Sequence, residues 1–274
     1  MMTGDIEGFL SYLRSCEKSQ STISKYVYEA GLFIKFAGSQ KPSSELLLSY
    51  KEYLTGAGFT PATVNLKIAA VNCYLKYIGC ADYCLQSIRV QKKPYVPESK
   101  DLTIEDYRKL LEAAGEGSRL YMILETMAST GIRVSELQYF TVDSVFKGEI
   151  EINNKGKIRY IIIPAKLQAS LAAFCSREHI EKGTVFITNR GNPVDRFAVY
   201  HDMKDLAVIA GLNPEKVHPH NLRKLFAKTF YEKRRDLAVL ADILGHSSIE
   251  TTRLYIMEPA EMHRKYIESL DLVL

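Results

Sequence analysis

Residues 218–255 hold His220, Arg223, His246 and Tyr255 in an order suited to chemistry on a phosphate. The stretch begins HPHNLRKLFAKTF and ends LGHSSIETTRLY. His220 and Arg223 are three residues apart, which on a helix puts them on one face, able to address the same small group. Gly245 reads as a helix stop and His246 follows it at once. Ser247 with Glu250 three residues later reads as the capping box of a further helix carrying Tyr255.

Phosphoryl transfer needs cations for the non-bridging oxygens, a proton donor for the leaving oxygen and a nucleophile. Arg133, Lys155, His220, Arg223, His246 and Tyr255 contain all three types. An arginine fork can meet two phosphate oxygens at once, and a tyrosine can attack covalently when a base and nearby cations assist it. Each has a plainer reading: a structural histidine, a solvated hairpin lysine, one of 17 tyrosines. Lys157 stands as a rival to Lys155. A metal centre of His218, His220 and His246 is disfavoured, because no carboxylate adjoins them and Arg223 would repel a dication. Cys80 and Cys84 have no second ligand pair nearby, so no metal is expected there either.

The elements that must position these residues are mostly helices. Ile6, Phe9, Leu10 and Leu13 recur at helical spacing, and so do Ile23, Tyr26, Ala30 and Phe33 or Ile34 up to Gly38. A third helix is predicted over 44–54, stopped by Gly56 and Gly58. A fourth starts at Thr60 as N-cap with Pro61 at the first helical position, and its stripe is Val64, Ile68, Val71, Leu75 and Ile78. The polar faces carry Lys18, Ser21, Thr22, Lys25, Asn65, Lys67, Asn72 and Lys76, types able to touch phosphates and base edges or simply to meet water. Residues 88–100, IRVQKKPYVPESK, read as an extended basic linker. A second domain opens with Leu102 and Tyr107 as a hydrophobic staple, a Thr103 to Asp106 capping box and Gly115 as stop. A helix over 119–128 and another from near Gly131 follow. Between Gly148 and Pro164 the period changes to 2, and GEIEIN and KIRYIII flank Asn154, Lys155 and Gly156 as a hairpin. Helix returns at 166–176, a short strand is predicted at 184–187, and helices run from Asp195 onward. The fold class is therefore mainly α with a small antiparallel sheet.

At 274 residues the chain suits two domains. Its apolar share of 46% and charged share of 25% are ordinary for a globular protein, and no apolar run is long enough for a membrane helix. No signal peptide is evident, and five scattered cysteines suggest reduced thiols, so a cytoplasmic setting is expected. The net charge of +4 is mild, but basic residues bunch at Arg89, Lys92, Lys93 and Lys100 and again from Arg223 to Arg235, as a polyanion partner would require.

TGIRVSEL at 130–137, the lysine of NNKGK, HNLRK at 220–224 and LGHSSIETTRLY at 244–255 together resemble the tyrosine recombinase (phage integrase) family, and the two-domain length resembles its Xer-type members. The resemblance runs over essentially the whole chain. It implies an N-terminal four-helix, SAM-like core-binding domain at 1–87 that clamps DNA, a linker at 88–100, and a catalytic domain at 101–274 with a C-terminal docking helix. It implies that Arg133 and Arg223 clamp the scissile phosphate, Lys155 protonates the departing 5′ oxygen, His220 acts as base, His246 hydrogen-bonds the phosphate, and Tyr255 attacks, with Glu136 in support. Lys155 is preferred to Lys157 because it directly precedes the turn glycine, where the family's lysine belongs. Lys224 stands where many members have a second histidine. DNA contacts are expected from Lys18, Lys25, Arg89, Lys92, Lys93 and Lys224. The implied activity is site-specific recombination through a 3′-phosphotyrosyl intermediate and a Holliday junction, without cofactor or metal. The implied partners are double-stranded DNA with paired inverted half-sites and a tetramer of this chain or a close relative, its tail helix (Met262, Tyr266, Ile267, Leu270) docking in trans, with packing on its own domain as the alternative. The alternatives are a type IB topoisomerase and a catalytically silent DNA-binding regulator. Nothing before the first helix suggests an additional domain, so short core sites without distant arm sites are expected.

Overall fold

Side-chain caps set where the helices of the first ninety residues begin. In this computed structural model, residues 5–90, 101–154, 157–257 and 260–272 are described, without the side chains of 153, 154 and 157. The chain divides into two compact units, Met1–Lys92 and Lys93–Leu274. In the first, Asp5, Ser19, Ser43 and Thr60 accept from the opening turns of α1 (Ile6–Ser15), α2 (Gln20–Ala37), α3 (Ser44–Gly56) and α4 (Pro61–Tyr77), satisfying backbone donors that would otherwise be orphaned. Phe9, Leu13, Ile23, Phe33, Leu47, Val64, Ile68 and Leu75 meet in one core.

The polar faces of α4 do not all meet water. Lys67 is buried: its Nζ stands 2.8 Å from Glu29 Oε2 and over the ring of Phe59. A buried ammonium persists only when paired, and Glu29 of α2 supplies the charge. Asn65 and Asn72 do not face outward either. Asn72 Nδ2 donates to Leu85 O at 2.8 Å and its Oδ1 accepts from Leu85 N at 2.9 Å, while Asn65 does the same for Ile88 at 2.9 and 2.7 Å. The two amides pin the segment after α4 as a strand partner would.

The second unit opens on α5 (Ile104–Ala114), with the predicted Thr103/Asp106 capping box, and α6 (Arg119–Thr130), which ends at a left-handed Gly131. The helix predicted from near Gly131 is instead a 3-10 turn, Val134–Tyr139, followed by a short helix the sequence reading missed, α7 (Val142–Lys147). The predicted hairpin is β1 (Glu149–Asn154) and β2 (Lys157–Ile162), antiparallel in the register Glu149↔Ile162 to Asn154↔Lys157. Helix α8 (Ala165–Arg177) follows. The strand predicted at 184–187 is reduced to single bridges, Thr141↔Thr184 and Ile187↔Pro193, because Val185 and Phe186 each find a lone backbone partner and not a ladder. Then come α9 (Arg196–Ile209), α10 (Pro219–Arg234), α11 (Leu237–Leu244), α12 (Ile249–Arg253) and α13 (Ala260–Glu268). The cap of α12 is Ser248, which accepts from Glu250 N, and not Ser247.

Helix α6 lies at the heart of this unit, with Met122, Ile123, Leu124 and Met127 buried against Ile150, Ile152, Ile161, Leu171 and Leu222. A smaller cluster of Ala227, Leu240, Leu244 and Tyr255 ties α10 and α11 to the chain after α12. No residue of α13 is buried. No helix among the described residues is long and apolar enough to cross a membrane.

Candidate active site

Two helix C-termini hold the site's cations. Helices α6 and α11 end in left-handed glycines, Gly131 and Gly245, and their last carbonyls carry the negative ends of the helix dipoles. Arg223, one turn into α10, donates from Nη1 to Gly131 O at 2.5 Å and from Nη2 to Leu244 O at 2.6 Å. It is only 2% exposed, and burial, then Arg133, pulls its pKa down to about 10, which leaves it charged at neutral pH. Arg133 leaves α6 just beyond Gly131. Its backbone N and Nη1 donate to Glu136 Oε2 and Oε1 at 2.7 and 3.0 Å, and its Nη2 reaches Gly245 O at 3.4 Å. Glu136 is buried and Arg133 half-exposed, so the carboxylate aims the guanidinium outward from below.

His246 follows Gly245 directly. Its Nε2 lies 2.9 Å from Arg223 Nη2 and its Nδ1 2.8 Å from Thr252 Oγ1. A guanidinium only donates, so Nε2 accepts and the ring proton sits on Nδ1, donated to the threonine. Burial, then Arg223, Arg133 and Arg159, hold its pKa down at about 4. Tyr255, just past α12, is buried among Ala227, Leu240 and Leu244. Its hydroxyl is 3.4 Å from His220 Nδ1, and Arg223 Cζ is 6.0 Å from its ring. His220 sits in the first turn of α10; burial, then Arg223 and Lys224, lower its pKa, with Asp101 opposing, so the imidazole is poised neutral, as a base must be.

The expected residues Arg133, Glu136, His220, Arg223, His246 and Tyr255 thus come together through three helix ends and one turn. Lys155, Lys92 and Lys93 lie outside the described residues. Lys18, Lys25 and Arg89 are exposed on the first unit. Lys224, expected at DNA, is ion-paired with Asp101: Lys224 Nζ and Lys228 Nζ each stand 2.5 Å from one of its carboxylate oxygens. Burial works against that carboxylate's ionisation, but the two ammonium groups prevail and hold its pKa below the ordinary range.

The sequence reading missed three participants. Arg159 of β2 donates from Nη1 to Leu244 O at 2.7 Å and to Glu136 Oε1 at 3.3 Å. Strand alternation puts it on the face of Ile161 and Ile163, both buried, so a charged residue on an inward face was the available signal. Thr252 and Asp101 had no such signal. Among the described residues of the site, Arg133, Arg159, Arg223 and Lys224 outnumber the carboxylates of Glu136 and Asp101, an excess of positive charge that suits an anion. A cleft of about 710 Å³ reaches the site past Asp101, Lys204, His218, His220 and Tyr255, and another of about 740 Å³ past Arg133, Arg159, Gly245 and His246.

The phage integrase family matches residues 100–261. Tyrosine recombinase XerA of Thermococcus kodakarensis is 30% identical over 98% of this chain and 95% of its own length. Tyrosine recombinase XerA of Pyrococcus furiosus is 28% identical over 98% and 94%. Among solved structures, a XerA recombinase covers 96% of both chains at 24% identity with a TM-score of 0.54. A lambda integrase tetramer bound to a Holliday junction covers 91% of this chain and 75% of its own at 18% identity, with a TM-score of 0.71.

Proposed function

Since the chain belongs to the phage integrase family, we propose the following route for its work as a site-specific tyrosine recombinase. Arg133 and Arg223 hold the non-bridging oxygens of a scissile phosphodiester. His220 Nδ1 takes the proton of Tyr255, whose oxygen forms a bond to phosphorus as the bond to the 5′ oxygen breaks. Lys155 donates a proton to that oxygen, leaving a 3′-phosphotyrosyl link and a free 5′ hydroxyl. The 5′ hydroxyl of a partner strand then attacks the link, returns the tyrosine and rejoins DNA, so the bond energy is conserved without nucleotide or metal. Two rounds of exchange pass through a Holliday junction.

The observation that carries the reading is the Tyr255 hydroxyl 3.4 Å from a neutral-poised His220, beside a buried Arg223 whose acceptors are helix-end carbonyls. A separation at the long end of hydrogen bonding fits a site awaiting substrate. His246 can serve too. When phosphate takes Arg223 Nη2, the ring needs its proton on Nε2 to donate to an oxygen. The Thr252 hydroxyl can accept from Nδ1 or donate to it, so the tautomer changes without losing that bond.

The first unit is the DNA clamp in this proposal, with Lys18, Lys25 and Arg89 among its phosphate contacts. The working assembly is a tetramer of this chain on paired inverted half-sites, in a cytoplasmic, nucleoid-associated setting. Helix α13 docks on a neighbouring copy, which is supported by its unburied face: Met262, Tyr266 and Ile267 on the helix, and Leu270 just past it, are all exposed.

The test uses duplex DNA carrying the chain's own site with a nick that traps cleavage. The wild type should form an adduct that survives denaturation, and Tyr255→Phe none. Lys155→Ala should bind the same DNA yet cleave at least about 100-fold more slowly, the scale of lost acid catalysis. No wild-type adduct, or an adduct from Tyr255→Phe, overturns the mechanism.

A further inference from the structure

Strand β2 sorts its side chains by alternation, and one of them is out of place. Ile158, Tyr160 and Ile162 point to solvent, while Ile161 is buried. Arg159 shares the inward side, its side chain 11% exposed. A guanidinium in that position is held only by its partners. Nη1 has two, Leu244 O and Glu136 Oε1, whereas Nε and Nη2 are buried without a hydrogen-bond partner. Gly245 makes the room: a Cβ there would stand 2.4 Å from Arg159 Cδ.

Both partners of Arg159 are also partners of the phosphate clamp. Leu244 O accepts from Arg223 Nη2 at 2.6 Å, and Glu136 Oε1 accepts from Arg133 Nη1 at 3.0 Å. A carbonyl oxygen has two lone pairs, so Arg159 and Arg223 between them fill Leu244 O. Glu136 likewise divides one oxygen between two cations, and its hold on Arg133 is weaker than it would be on Arg133 alone.

We propose that Arg159 is a positioning residue for the clamp: by occupying a share of Leu244 O and of Glu136 it sets how far Arg223 and Arg133 stand free to meet phosphate. Without it, Arg223 settles onto the carbonyl and Arg133 onto the carboxylate, and both withdraw from the substrate. The proposal rests on the reading that these two arginines hold the scissile phosphate.

The experiment compares single-turnover cleavage by the full-length wild type, Arg159→Gln and Arg159→Lys on two versions of the trapping DNA. One has an ordinary scissile phosphate. The other has a methylphosphonate there, in which a methyl group replaces a charged oxygen and the demand for cations falls. On ordinary DNA Arg159→Gln should be slower by about 10–100-fold, the usual cost of losing a supporting contact around a reactive site, with Arg159→Lys between it and the wild type. On the methylphosphonate the variants should approach the wild-type rate. An equal loss on both substrates marks general loosening and overturns the proposal, as does no loss on either. If Arg159→Gln does not fold, the same comparison is made with Arg159→Lys, which keeps the charge. A wild type that forms no adduct brings down the recombinase reading itself, whereas an active wild type with a substrate-blind variant brings down only this one.

Discussion

Arg223 Nη2 stands 2.9 Å from His246 Nε2, and because arginine cannot accept, this one contact decides where the histidine carries its proton. Burial first, and this contact next, also decide the charge. An imidazolium at that spot would face Arg223 with a proton of its own, so the ring stays neutral down to about pH 4. In the unfolded chain it protonates near its ordinary 6.5. Between those values the unfolded state binds a proton that the folded state refuses, so stability falls as pH drops from about 6.5 toward 4 and is fully present above that window. Burial lowers His218 and His220 in the same direction. Thermal melting of the full chain from pH 7 to 4.5 should therefore show a falling Tm, and His246→Gln should flatten part of that fall. An unchanged slope in the variant would mean that His246 titrates freely.

Thr252 is fully buried, and its hydroxyl is the partner of His246 Nδ1. Thr252→Val keeps the shape and removes the bond, stranding Nδ1 and blocking the tautomer exchange. Cleavage should slow by about 10-fold, while Thr252→Ser should stay near wild type. Equal rates for the valine and serine variants would show that the hydroxyl has no part in the reaction.

Asp101 holds Lys224 and Lys228 through one carboxylate. Asp101→Asn should release both ammonium groups toward DNA. Anisotropy titrations across a salt series should then give tighter binding at low salt. The slope of log affinity against log salt should steepen by roughly 0.9 for each lysine that newly meets a phosphate. A slope identical to wild type would place neither lysine on the DNA.

Asn65 and Asn72 each exchange two hydrogen bonds with the backbone after α4. At about 1 kcal/mol per bond, replacing either with alanine should cost the first unit about 2 kcal/mol. Hydrogen exchange on the full chain offers a local reading: the Leu85 amide should lose protection in Asn72→Ala and the Ile88 amide in Asn65→Ala. Protection that survives both changes would assign the segment's order to packing alone.

The sequence by itself determined what depends on neighbours a few residues away. The Thr60 and Pro61 start of α4, the Thr103 and Asp106 capping box, the left-handed stop at Gly245 and the alternation in β1 and β2 follow from local hydrogen bonding and side-chain period. The residues able to do the chemistry were legible from their type and order. Local rules erred where two adjacent candidates competed, as when Ser248 and not Ser247 caps α12. Only the tertiary structure decided which polar groups share a charge or a proton. It buried Lys67 on Glu29, turned Lys224 to Asp101, set Thr252 under His246, and joined Arg159 to a carbonyl 85 residues away. A cation's side-chain type does not disclose whether water, a carboxylate or a helix end will face it. That choice is made by packing between segments far apart in the chain, where desolvation makes one partner obligatory and the rest inaccessible.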